Sequence, residues 1–232
     1  MAPRTSKNEA SARTSLRWAA CWVALIVGAT GCSDDGDGGT KQTVRSSAQV
    51  CDNTLKSSGQ AALKSIGGTD RYTELAGNRQ NGEPYRFSAS LAAKRLHSEF
   101  SKRNKCAVYR ADGENDFPLL DINFEPSLAA PKKVSDPGAK ELLYPLGAFA
   151  SVKSKPGSTY ATLYFACPTQ GPDGESSHVM ASLFVPKAQT HPGSTPDDRM
   201  AVLNDVARGL AEELGCADEA GLPARVPSPT NG

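Results

Sequence analysis

Apolar and polar positions alternate most clearly between residues 119 and 124. Leu120, Ile122 and Phe124 take turns with Asp121 and Asn123, the period-two pattern of a strand with one wet face. Cys106-Ala107-Val108-Tyr109 reads as its partner strand, joined through the turn-forming run Ala111-Asp112-Gly113-Glu114-Asn115. A second pair follows the same plan. Residues 159–167 form one strand, Gly171-Pro172-Asp173-Gly174 turns the chain, and residues 179–185 return. Pro126 and Pro186 are expected to end the second strand of each pair. Residues 71–75 and 142–152 supply two further strand candidates, the latter with Pro145 and Gly147 marking an edge or a bulge.

Helical spacing accounts for the rest. Residues 50–66 place Leu55, Ala62 and Ile66 inward, with Asp52 or Asn53 as the cap and Gly67-Gly68 as the stop. Residues 87–104 bring Phe87, Leu91, Leu96 and Phe100 to one broad face. The last helix has the fullest signature. Thr195, Pro196, Asp197 and Asp198 supply a cap, a first-turn proline and two acids; Leu203, Val206, Leu210 and Leu214 make the stripe; Gly215 ends it. The fold expected is α+β: a mainly antiparallel sheet from two hairpins, with helices on one face.

The first residues break this pattern. Arg4, Lys7, Arg13 and Arg17 precede an apolar run over residues 18–27, and small residues lead to Cys32. A charged region, a short apolar region and small residues describe a secretory signal. The apolar run falls short of the roughly 20 residues that span a bilayer. The tract Ser33-Asp34-Asp35-Gly36-Asp37-Gly38-Gly39 cannot bury apolar surface and reads as a flexible tether over residues 32–49. The expected organisation is therefore a signal peptide at 1–31, a tether at 32–49, a domain at 50–223 and a disordered tail at 224–232. The ranges 50–126 and 141–222 share a plan of cysteine, Asp-Gly turn and proline that suggests two related halves.

Charge narrows the partners. The leader holds four of the 26 Lys and Arg residues and one of the 25 acids, leaving 22 basic and 24 acidic groups. A mature part that close to neutral argues against nucleic acid and against an anionic membrane surface. The basic run Lys94, Arg95, His97, Lys102, Arg103 and Lys105 reads as a solvated helix face, since stacking aromatics and a phosphate-cradling loop are both missing.

Six cysteines divide by position. Cys21 lies in the leader, and Cys32 stands at its end. Cys51, Cys106, Cys167 and Cys216 form an even set in an exported domain, for which disulfides are expected. Of three possible pairings, Cys51–Cys106 and Cys167–Cys216 are preferred because each closes one half of the chain. Ligand spacing for zinc is absent, and no metal or cofactor is expected.

Catalytic signatures are absent as well. The chain has no G-x-S-x-G elbow, no S-x-x-K pair and no phosphate-binding glycine loop. His97 and His191 have no telling neighbours, whereas His178 follows Ser176-Ser177 at a strand start. Asp112, Glu114 and Asp116 surround one turn, where a polar hairpin tip is the simpler reading than a cation site. Tyr144, Tyr160, Tyr164 and Phe165 are candidates for a pocket lining or for sheet core.

Ala29-Thr30-Gly31-Cys32 resembles the lipobox of bacterial lipoproteins, with Ala29 where that family more often has leucine. The resemblance implies a diacylglycerol on the thiol of Cys32 and cleavage just before it; the competing expectation is a plain signal peptide with an incidental cysteine. Leader, tether and the stretches "NKCAVY", "LYFACP" and "LAEELGC" together resemble uncharacterised surface lipoproteins of actinomycetes. That resemblance implies a lipid-anchored protein on the extracellular face of the cell membrane. Two functions follow as expectations. One is a non-catalytic module binding a small molecule, a wall polymer or a protein, which requires an apolar groove or patch. The other is a wall- or lipid-acting hydrolase, which requires converging titratable groups, with His178 the first candidate.

Overall fold

The computed structural model describes residues 43–74, 86–113, 117–131 and 140–230. The leader, Cys32 and the tether up to residue 42 lie outside the described residues, as do the polar loop at 78–84, Glu114, Asp116 and most of the 126–140 connection.

Among the described residues, strand-forming alternation builds seven strands: β1 (Tyr72–Glu74), β2 (Cys106–Arg110), β3 (Leu120–Ser127), β4 (Lys140–Leu143), β5 (Phe149–Lys155), β6 (Ser158–Gly171) and β7 (Gly174–Pro186). They form one antiparallel sheet in the order β1-β2-β3-β7-β6-β5-β4. The sheet is thus larger than two hairpins. The 142–152 segment is two strands, because residues 144–148 turn the chain, with Tyr144 N–H donating to Ala150 at 3.0 Å. Gly147 is needed there. It has φ of 59°, and a Cβ would collide with the carbonyl oxygen of Tyr164. Strand β6 runs on past Cys167 through a bulge in which Cys167 and Pro168 oppose Ser177. A residue without an N–H is tolerated at such a break. Pro126 does not end β3, which pairs with β7 through Ser127.

Three α-helices among the described residues gather on one face: α1 (Ser57–Gly67), α2 (Ala89–Lys94) and α3 (Pro196–Leu214). The α3 stripe of Met200, Leu203, Val206, Ala207 and Leu210 is fully buried over β5, β6 and β7. Beneath it lie Val152, Ala161, Leu163, Phe165, Val179, Ala181, Leu183 and Val185, all at most 1% exposed, so the stripe fills the space between helix and sheet. The expected capping box is present. Thr195 Oγ1 accepts from Asp198 N–H at 3.2 Å, and Asp198 Oδ2 accepts from Thr195 N–H at 2.8 Å.

The first two helices are shorter than their patterns. Cys51, Asp52 and Asn53 all have φ near +50 to +60°, so the chain makes a left-handed turn and α1 starts only at Ser57. Asp52 does not cap α1; its Oδ2 accepts from Ala89 N–H at the start of α2, 3.0 Å away. The cap of α1 comes from α3 instead. Asp205 Oδ2 accepts from Lys56 N–H at 2.8 Å and from Gly59 N–H at 3.2 Å. A Cβ at Gly59 would displace that carboxylate. The 87–104 helix stops at Lys94. His97 Nε2 meets Thr169 Oγ1 at 3.0 Å and its ring packs on Gly171, drawing the chain to the β6–β7 tip and leaving Phe100 65% exposed.

Two disulfides cross this framework. Cys51–Cys106 joins the turn before α1 to β2, and Cys167–Cys216 joins β6 to the end of α3. The body also reaches further than 50–223. Arg45 and Tyr72 exchange both backbone hydrogen bonds at 2.7 and 2.8 Å, and Ser47 is buried, so the folded part begins before Val50. At the other end, residues expected to be a disordered tail are laid down. Asn204 Nδ2 donates to Pro223 O at 2.8 Å, Val226 packs on the core, and Thr230 N–H donates to Leu143 O at 2.8 Å. Prolines restrict the unfolded chain, which lowers the entropy lost on docking it.

Candidate functional site

The helices occupy one face of the sheet, and strand alternation sends the intervening residues to the other. Register arranges these in rows. Phe149, Tyr164, Met180 and Glu125 stand side by side across β5, β6, β7 and β3. Lys153, Tyr160, Phe184 and Asp121 form a parallel row four residues along the same strands. Between them lies a row of small polar side chains: Ser151, Thr162, Ser182 and Asn123. The result is a trough with a hydroxyl and amide floor and two walls that each carry a pair of aromatic side chains. Strand geometry sets the walls about 14 Å apart between Cα rows and gives the floor a similar length.

The walls are held by ring contacts. Phe149 and Tyr164 meet edge to face at 6.1 Å between centroids, and Tyr160 and Phe184 are tilted at 5.2 Å. Lys155 Nζ lies 5.8 Å from the centroid of Tyr160. Tyr160 is 40% exposed; Phe149, Tyr164, Met180 and Phe184 are half-buried.

The acids around the trough are matched within the chain. Lys105 pairs with Asp121 at 2.9 Å, Arg103 with Glu125 at 2.9 Å, and Lys153 with Glu141 at 3.5 Å. Burial, and then the nearby Glu125, raise the Tyr164 hydroxyl above the usual tyrosine range, so this hydroxyl stays protonated. On the floor, Asn123 is nine-tenths buried and its Oδ1 has no hydrogen-bond partner. A buried acceptor of this kind carries a desolvation cost that a donor from outside would relieve.

The residues singled out in the sequence are distributed differently. Tyr160 and Tyr164 stand on the trough walls. Phe165 points the other way and is fully buried under α3. Tyr144 is buried beside α3, its hydroxyl donating to Asp197 Oδ1 at 2.6 Å. Met180, Phe149 and Phe184 were not picked out. Their signal was the alternate positions of strands whose other face is apolar, which shows only once the register is known.

His178 does contact Ser177, with Nδ1 2.8 Å from Oγ. Ser177 Oγ, however, donates to Leu128 O at 2.6 Å. With its single proton committed there, the serine accepts from the histidine, the reverse of a nucleophile giving its proton to a base. His191 packs against Gly68 beside an open hollow of about 470 Å³, whose wall includes an exposed Lys64–Asp70 pair. Asp112 is paired with Arg110. Cys51, Glu74 and Cys106 bring potential ligand atoms within 4.8 Å, but the two sulfurs are bonded to each other and Glu74 is held by Arg86 at 2.9 Å.

Asp205 is the one buried carboxylate on α3 with a displaced proton affinity. Burial raises it above the usual aspartate range, against the opposing N–H groups of Lys56 and Gly59 and the charge of Arg208. The folded chain therefore holds this proton more tightly than the unfolded chain. From the ordinary aspartate range up through the raised value, this residue's contribution to stability falls as pH rises, then levels off. Asp205→Asn cannot ionise, so the wild type should lose ground to this variant as pH climbs through that window. Urea unfolding of both proteins across it checks the sign; a wild-type advantage that grows with pH contradicts it.

Compared with protein-family models, with curated proteins and with solved structures, the chain matches none.

Proposed function

We propose that the chain is a non-catalytic binding module, anchored by lipid on Cys32 at the extracellular face of the cell membrane, that holds its ligand on the second face of the sheet. The observation that carries this reading is the trough itself: paired aromatic side chains beside one unpartnered polar atom, Asn123 Oδ1, on the side of the sheet away from the helices. Binding sites combine apolar walls with a few placed polar groups in this way. The lipobox-like Ala29-Thr30-Gly31-Cys32 supports the anchor. The disulfides suit an oxidising compartment. The hydrolase reading has less support, since Ser177 and His178 are wired in the wrong direction for attack.

Hydroxyl-radical footprinting of the chain on native envelope fragments tests the binding role. Tyr160, Met180 and Phe184 should be protected from oxidation relative to the free protein, while exposed Phe100 and Leu128 should not. Equal oxidation of the trough residues in both samples would remove the reading. Mass spectrometry of the membrane-extracted chain tests the anchor separately, through a diacylglycerol on an N-terminal Cys32.

A further inference from the structure

We infer that the trough takes an uncharged glycan strand; this rests on the binding-module reading above and names the ligand chemistry. Three features select it. First, the walls offer ring surfaces, with Tyr160 the most open, against which the C–H faces of sugar rings pack. Second, the floor carries the half-buried Thr162 and Ser182 hydroxyls beside the unpartnered Oδ1 of Asn123. A polyhydroxylated or acetamido sugar carries the donors that this buried acceptor lacks. Third, Asp121, Glu125 and Glu141 are paired with Lys105, Arg103 and Lys153 in turn, Lys155 lies over the Tyr160 ring, and the floor itself carries no charge to match an ionic polymer.

A peptide strand fits less well. Extended peptides add to a sheet through free backbone groups at an edge. A sheet's face presents side chains only, and each edge strand of this sheet is met at one residue by the chain itself, Arg45 on Tyr72 and Thr230 on Leu143. The floor length of about 14 Å suits a short run of linked rings lying across the strands.

The test uses the mature oxidised chain and an N-acetylglucosamine tetramer as the probe, by titration calorimetry. Saturable binding is expected. Tyr160→Ala should weaken it by roughly tenfold or more, as loss of an anchoring aromatic does. Asn123→Ala should weaken it as well while leaving the thermal midpoint unchanged or higher, because the variant removes an unpaired buried acceptor. That opposite movement separates a ligand contact from a structural one. No saturable binding, or binding indifferent to both substitutions, overturns the glycan assignment. A photo-crosslinking residue at position 160, used in native membranes, separates the two failures. Crosslinks to a polypeptide in place of a glycan would sink this inference and leave the binding module standing. An absence of any crosslink would remove both.

Discussion

Replacing Cys167 and Cys216 together by alanine will destabilise the folded chain by about 4 kcal/mol, the chain-entropy cost of releasing a loop of this length. The bond spans 49 residues, from the bulge of β6 to the residue after Gly215. Both sulfurs sit in the core, Cys167 at 0% and Cys216 at 4% exposure, so lost packing adds to the entropic loss. Against a total of about 5–15 kcal/mol, that is roughly a quarter to four-fifths of the stability. Two elements should respond together, because α3 is the helix that covers β5, β6 and β7, and its C-terminal turn is fastened only here by a covalent bond. Urea unfolding of wild type and variant, both with Cys51–Cys106 intact, measures the difference. A loss below about 1 kcal/mol would mean that α3 is held by its apolar stripe alone.

The second large effect is expected at Glu74. Its side chain is 4% exposed and serves several partners at once. Oε1 accepts from Cys51 N–H at 2.8 Å, and Oε2 faces Arg86 Nε at 2.9 Å and Arg45 Nε at 3.7 Å. The left-handed turn at residues 51–53, the strand β1 and both arginines therefore meet on one carboxylate. Glu74→Ala leaves a buried N–H without an acceptor and removes the anion between two guanidinium groups. The arginines are partly exposed and can turn to water, which reduces the loss. Roughly 2–4 kcal/mol remains, mostly from the orphaned N–H and the void. Glu74→Gln keeps an acceptor for Cys51 and should recover part of it. Equal stability of the alanine variant and the wild type in urea would show that the turn is held by the disulfide without help.

These two sites also show what was legible in the sequence. The Cys167 and Cys216 partnership was readable because the cysteines flank a strand and a helix stop in one half of the chain. The helix α3 was readable because Thr195, Pro196 and Asp198 act on their own neighbours, through contacts three residues apart. Glu74 was not readable. Its partners at 45, 51 and 86 are brought together by tertiary folding, and nothing local marks it. The same holds for Asp205, a buried acid in mid-helix that serves the start of a different helix. Apolar spacing overextends the first helix because it ignores three left-handed residues, Cys51 to Asn53, that lie between the disulfide to β2 and the start of α1. Only half the trough was visible for a related reason. Alternation told Asp121 and Asn123 apart from the core, but the cross-strand order that sets Asn123 beside Ser182, Thr162 and Ser151 is a property of pairing.

The position of Cys51 has a mechanical consequence. A pull on the N-terminal end first meets the Arg45–Tyr72 bridge, whose hydrogen bonds can unzip one after another. It then reaches Cys51, where the force leaves the backbone and crosses a covalent link into β2. The stretch from Cys51 to Cys106, a sequence separation of 55, cannot be drawn out, which withholds about 190 Å of extension at the full reach of the chain. The 49-residue loop closed by Cys167–Cys216 withholds about 170 Å more. Stretched from its ends, the protein would behave as a short tether with two knots in it, and a reducing agent would lengthen it abruptly.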